Sequence, residues 1–148
     1  MMSNTVELHR VFKSTPDRVY RAFVTPGAFA KWLPPHGFFG TVHDMDVRVG
    51  GRYRMSFTNL TTDHTHSFSG EYLELEPDVS LSYTAEFDDP NLPGRMQTSV
   101  TLREVSCGVE VKIKQENIPS VIPLDACYLG WQESLELLGK LVEPEIGD

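Results

Sequence analysis

His64 and His66 stand two residues apart, the spacing at which two imidazoles on one strand project to the same side and can share a metal ion. They adjoin a turn-rich run, Asn59 to Asp63, and no cysteine or acidic residue stands where it would complete a four-ligand site. Solvated histidines at a strand end are expected there, with no metal. His9, His36 and His43 are isolated in sequence. Gly50 and Gly51 are followed by neither a Lys-Ser/Thr pair nor a helix start, so they read as a turn or bulge needing positive φ rather than as a phosphate cradle. Nucleophilic catalysis has no motif either. The chain lacks a Gly-x-Ser-x-Gly elbow, and neither Cys107 nor Cys127 has a basic neighbour to lower its pKa. The two cysteines match no disulfide framework or CxxC pattern and read as buried thiols in a reducing cytoplasm. Glu71, Glu74 and Glu76, with Glu86 and Asp88, read as solvated faces. No catalytic residue and no cofactor are assigned.

Arg10 is the more informative charge. Strict alternation places it on the same strand face as Val6, Leu8 and Phe12, so it points toward the core. An inward arginine can hold a ligand's carboxylate or phenolate in a bidentate contact or pair with an acidic neighbour at the sheet edge, and a bulge would turn it out instead. The structural pairing is the favoured reading, because a buried charge normally needs a partner. Among residue types the aromatic content best supports a pocket, although aromatic stripes more often pack a well-filled core than line a binding site. Trp32, Phe38, Phe39, Tyr53, Tyr72, Tyr83, Tyr128 and Trp131 exceed what an aliphatic core needs, and buried phenols require partners that a ligand can supply. Arg10, Trp32, Phe39, Tyr53, Met55, Tyr72, Tyr83, Tyr128 and Trp131 are the candidate ligand-binding residues.

Those side chains must be positioned by elements whose signals lie in the periodicity. Val6, Leu8 and Phe12 alternate in a first strand, after which Thr15 as cap and Pro16 at the first helical position announce a helix with core face Val19, Ala22 and Phe23. Pro26 and Gly27 open a second short helix through Phe29 and Trp32, which Pro34 and Pro35 close. From Gly37 to Gln115 the period is two. Tyr53, Met55 and Phe57 share a face, as do Leu81, Tyr83, Ala85 and Phe87, and likewise Val109, Val111 and Ile113. Turns are expected at Gly50 and Gly51, Asn59 to Asp63, Pro77 and Asp78, Asp88 to Gly94, and Ser106 to Gly108. Between Leu124 and Val142 the residues Leu124, Cys127, Tyr128, Trp131, Leu135, Leu138, Leu141 and Val142 recur at spacings of three and four. They form the apolar stripe of one long helix. Gly130 and Gly139 interrupt it at about 1 kcal/mol each relative to alanine. Gly130 either allows close backbone packing or leaves room beside Trp131, and packing is the favoured cause.

The order predicts an α+β fold in which a curved antiparallel sheet wraps the terminal helix, with two short helices after the first strand. At 148 residues the chain is read as one domain, 1–148, and a domain of that size buries roughly 70% of its unfolded surface. A net charge of -8 makes nucleic acid and anionic membrane poor partners. Met1 to Lys13 lack a leader pattern, and no stretch approaches the roughly 18 apolar residues of a membrane span. A cytoplasmic location is expected.

The series Trp32, Pro34 or Pro35, Gly37, Asp46, Val49, Gly50, Gly51, Gly70, Tyr72, Pro77, Leu81, Gly130, Trp131 and Leu135 resembles the activator of Hsp90 ATPase homologue 1-like family, within the START-like or Bet v 1-like superfamily. The resemblance runs from Val6 to Val142 and implies a helix-grip fold with seven antiparallel strands. Relatives often carry a second Trp after Trp32, where this chain has Leu33, so an aromatic wall there is thinner. Met1 to Asn4 leave no room for the extra N-terminal domain of the Hsp90 activator itself, which counts against chaperone stimulation. The superfamily hosts carriers, cyclases and chaperone partners, so three functions follow from the resemblance. The first is a domain enclosing a small hydrophobic or aromatic molecule between the last helix and the sheet, its mouth near Trp32 and the loops Asn59–His66 and Asp88–Gly94. The second is a cyclase or dehydratase using the same cavity. The third is a protein-interaction module of the Hsp90-activator kind, whose partner is a chaperone or a second copy of the chain.

Overall fold

Seven strands and three helices follow the sequence signals closely. The structure, a computed structural model, describes residues 4–147. Expectations about a leader or a further segment ahead of the first strand fall partly on Met1, Met2 and Ser3, outside those residues. The elements run β1(Val6–Phe12), α1(Pro16–Val24), α2(Pro26–Trp32), β2(Phe38–Met45), β3(Arg52–Asn59), β4(Thr65–Glu76), β5(Ser80–Phe87), β6(Met96–Val105), β7(Gly108–Glu116) and α3(Leu124–Val142). Strands β2 to β7 form an antiparallel meander, and β1 closes onto β7 to give the order β1-β7-β6-β5-β4-β3-β2. The sheet curls into a half-barrel, and α3 packs in its hollow. No helix among the described residues is long and apolar enough to cross a membrane.

Local chemistry explains the boundaries. Thr15 and Thr25 precede α1 and α2 in extended conformation, each followed by a proline that costs no helical hydrogen bond at that position. Neither threonine side chain makes a capping bond. Gly50 has φ +84°, and the main chain from Asp46 to Gly51 folds so tightly that a Cβ on Gly51 would lie 2.1 Å from the Asp46 carbonyl oxygen. Gly50 N–H then donates to the Tyr72 carbonyl and Tyr72 N–H to the Gly51 carbonyl, stitching this turn to β4. A second close approach bends β4. At Gly70 a Cβ would lie 1.8 Å from the Thr84 carbonyl oxygen and 2.6 Å from the Tyr53 ring, so only glycine lets that ring lie across the strand.

The core lies on the concave face. Inward residues of β1 and β3 to β7 enter it, among them Leu8, Met55, Leu81, Val100 and Ile113, while Trp32 and Phe23 of the short helices are almost fully buried. Gly139 packs against Phe12 of β1, where its absent side chain admits the ring.

Four expectations are corrected. The α3 stripe is buried only from Trp131 onward, through Leu135, Leu138 and Val142; Leu124 and Tyr128 are 37% and 41% exposed, because the first two turns stand off the sheet. Cys107 sits exposed in the β6–β7 turn rather than buried on a strand, and Cys127 is half-buried. Arg10 does face inward, yet its partner is neutral: its guanidinium donates to Gln132 Oε1 of α3 at 2.7 Å. Gly130 does not serve close packing, since a Cβ there would have no atom within 4 Å.

Candidate functional site

Where the first turns of α3 leave the sheet, a cavity of about 190 Å³ remains, part open to solvent. Three pieces of chain enclose it. The helix supplies Cys127, Gly130, Trp131 and Ser134; the segment after α2 supplies Leu33 and Pro35; the sheet supplies Tyr53, Phe57, Phe68, Tyr83, Ala85, Phe87, Met96, Thr98 and Gln115. The floor is aromatic. Phe57 and Phe68 meet edge to face with centroids 5.1 Å apart, and Tyr53 lies 6.3 Å from Phe68 and 5.9 Å from Tyr83 in the same manner. Such contacts hold rings without collapsing the space above them. Ser134 Oγ donates to the Leu33 carbonyl at 2.6 Å and lies 3.0 Å from the Gly130 carbonyl, tying the end of α2 to α3 at the rim.

Four polar side chains of the cavity, Trp131, Cys127, Gln115 and Thr98, are linked through hydrogen bonds. Trp131 Nε1–H donates to Gln115 Oε1 at 2.9 Å, and Cys127 Sγ reaches the same oxygen at 3.4 Å. Gln115 Nε2 donates to Thr98 Oγ1 at 3.3 Å, and Thr98 stands opposite Tyr83 in the β5–β6 register. On the far side of the floor Tyr53 Oη donates to the Thr84 carbonyl at 2.7 Å. Burial pushes the Tyr83 phenol above its ordinary value near 10, with the adjacent Tyr72 adding to the effect. Burial does the same to Tyr53, helped by Tyr83 and Tyr72, and it also raises the Cys127 thiol. Every titratable group lining the cavity is therefore neutral at pH 7.

The candidate residues named from sequence divide between this site and other places. Tyr53, Tyr83 and Trp131 line the cavity together. Trp32 packs beneath, in a cluster with Phe23 and Phe29, and its Nε1–H donates to the Ala22 carbonyl at 2.8 Å. Met55 and Tyr72 are buried in the core away from the lining. Phe39 is half exposed on β2, Tyr128 is exposed on α3, and Arg10 is engaged with Gln132. His64 and His66 are exposed at the start of β4.

Reading by residue type missed Gln115, Thr98 and Ser134. Their signal was present as polar residues at apolar register positions: Gln115 follows Val109, Val111 and Ile113 at period two, and Ser134 falls on the α3 stripe. His43 is likewise not isolated. Its Nε2 lies 2.7 Å from Ser56 Oγ, which lies 2.7 Å from Ser67 Oγ, a cross-strand chain outside the cavity.

The family described as activator of Hsp90 ATPase homolog 1-like protein matches residues 13–143. Among solved structures, an X-ray structure of a protein from Chromobacterium violaceum is 53% identical with a TM-score of 0.95, covering 96% of this chain and 99% of that one. A protein from Rhodobacter sphaeroides is 20% identical with a TM-score of 0.79, covering 92% of this chain and 90% of that one. A solution structure from Staphylococcus epidermidis is 19% identical with a TM-score of 0.80, covering 100% and 96% respectively. The last two share the fold alone. No curated protein matches the chain.

Proposed function

The chain belongs to the activator of Hsp90 ATPase homolog 1-like family, and from that membership we propose that it binds a small aromatic molecule in the cavity between α3 and the sheet. Domains of this fold are generally ligand-binding or helper domains. The observation that carries the finer reading is the cavity itself, kept open by Gly130 and lined by Tyr53, Phe57, Phe68, Phe87 and Met96. An apolar cavity of roughly 150 Å³ accepts benzene, so about 190 Å³ suits one ring with a short substituent and is too small for a fatty acid. The neutrality of Tyr53, Tyr83 and Cys127 supports binding over acid–base catalysis, which wants a group poised to titrate near the working pH. Two free cysteines, one of them exposed, support a reducing cytoplasmic setting.

A thermal-shift screen of single-ring aromatics tests the reading. A ligand at 100 times its dissociation constant adds about 2.7 kcal/mol, which raises the Tm of a domain this size by roughly 5–10 °C. Leu33→Trp, which puts an indole at the mouth, should keep the fold and abolish the shift. A panel that leaves the parent Tm unmoved, or shifts Leu33→Trp equally, would contradict it.

A further inference from the structure

The hydrogen-bond network has a direction, and the direction ends in the cavity. An indole N–H only donates, so the bond from Trp131 fixes the Gln115 amide with its oxygen toward α3 and its nitrogen toward the sheet. Cys127 takes the second lone pair of that oxygen. Gln115 Nε2 spends one proton on Thr98 Oγ1 and keeps a second. Tyr83 stands directly opposite Thr98 on β5 and lines the cavity beside it. Its phenolic O–H rotates about the C–O bond and can turn toward a guest. The remaining hydroxyls at the site have spent theirs: Tyr53 on the Thr84 carbonyl, and Ser134 on the Leu33 and Gly130 carbonyls. What the cavity offers a guest is two proton donors, on β7 and β5 to either side of Thr98 on β6, with no positive charge in the lining. A carboxylate entering it would be buried without a counter-charge, a state that costs several kcal/mol.

Resting on the binding reading above, we propose that Gln115 and Tyr83 select a neutral aromatic molecule bearing a hydrogen-bond acceptor, of the aryl ketone or aldehyde class. The ring lies over Phe57 and Phe68, and the carbonyl oxygen takes the free protons of Gln115 Nε2 and Tyr83 Oη. Recognition is by donor pairing and size together, so molecules that only donate are disfavoured.

Isothermal titration with acetophenone, ethylbenzene and benzoate, three probes of one ring and similar size, separates the terms. The parent should bind acetophenone about five- to tenfold tighter than ethylbenzene, the worth of one good hydrogen bond, and benzoate more weakly than either. Tyr83→Phe and Gln115→Met should each bind ethylbenzene as the parent does and lose most of the preference for acetophenone. The carbonyl stretch of bound acetophenone should move to lower frequency in the parent than in Tyr83→Phe, a signature that a purely structural role for Tyr83 would not produce. Should one variant fail to fold, the other reads the same term. Equal parent affinity for acetophenone and ethylbenzene, or a preference surviving in both variants, overturns the assignment while leaving the binding reading intact. If none of the probes binds, the binding reading falls and takes the assignment with it.

Discussion

Tyr53, Tyr72 and Tyr83 fold into one patch of the sheet, with ring centroids 5.7 to 6.5 Å apart, and burial holds all three phenols above their ordinary value near 10. Below pH 10 the folded and unfolded chains both keep these protons, so the contribution to stability is constant. Above it the unfolded chain releases protons that the folded chain retains, and stability falls by about 1.36 kcal/mol per pH unit for each tyrosine, or about 4 kcal/mol per unit for the three together. Urea unfolding from pH 7 to 11 should therefore show a plateau to about pH 9.5 and a steep loss beyond it. A slope of a single proton or less would mean the phenols are solvated. At this scale the sequence was partly legible. Alternation placed Tyr53 and Tyr83 on inward faces, but whether an inward residue meets core or cavity depends on the height of α3 above it, which no local pattern encodes. Gln115 and Thr98 were visible as polar residues on apolar faces; their partners come from other strands and from α3.

The element that decides whether a cavity exists is α3. Its two glycines look alike in sequence and do opposite things: Gly130 faces open space, whereas a Cβ on Gly139 would lie 3.3 Å from Cε1 of the buried Phe12 ring. Gly130→Ala should stabilise the free protein by about 0.5–1 kcal/mol through helix propensity alone, while taking a methyl's volume from the cavity and weakening aromatic probes. Gly139→Ala should forfeit that gain or destabilise by about 1 kcal/mol, because a fully packed ring cannot retreat. Parallel denaturant melts distinguish the two, and equal effects would refute the difference in packing. The extent of α3 was readable from its three-and-four periodicity and matches the structure, as do α1 and α2 from their proline-marked starts. The lift of its first turns was not. Leu124 and Tyr128 continue the stripe in sequence, yet each is more than a third exposed.

Across the whole molecule, a curled seven-stranded sheet, a helix seated in it only at its C-terminal half, and a short arm pinned by Ser134 leave one aromatic cavity between them. Fold class and element order followed from periodicity because strands such as β1, β6 and β7 alternate and the turns between strands carry glycine, proline or aspartate. The cavity did not, because its volume is the small difference between large packed volumes. The chain contains two tryptophans, and they report on opposite sides of that difference: Trp131 lines the cavity, whereas Trp32 is sealed in the core with its N–H on the Ala22 carbonyl. Their two indole N–H resonances, followed by NMR during titration with acetophenone, test the central claim directly. The Trp131 signal should move saturably while the Trp32 signal stays in place. Two unmoved signals, or two that move together, would contradict it.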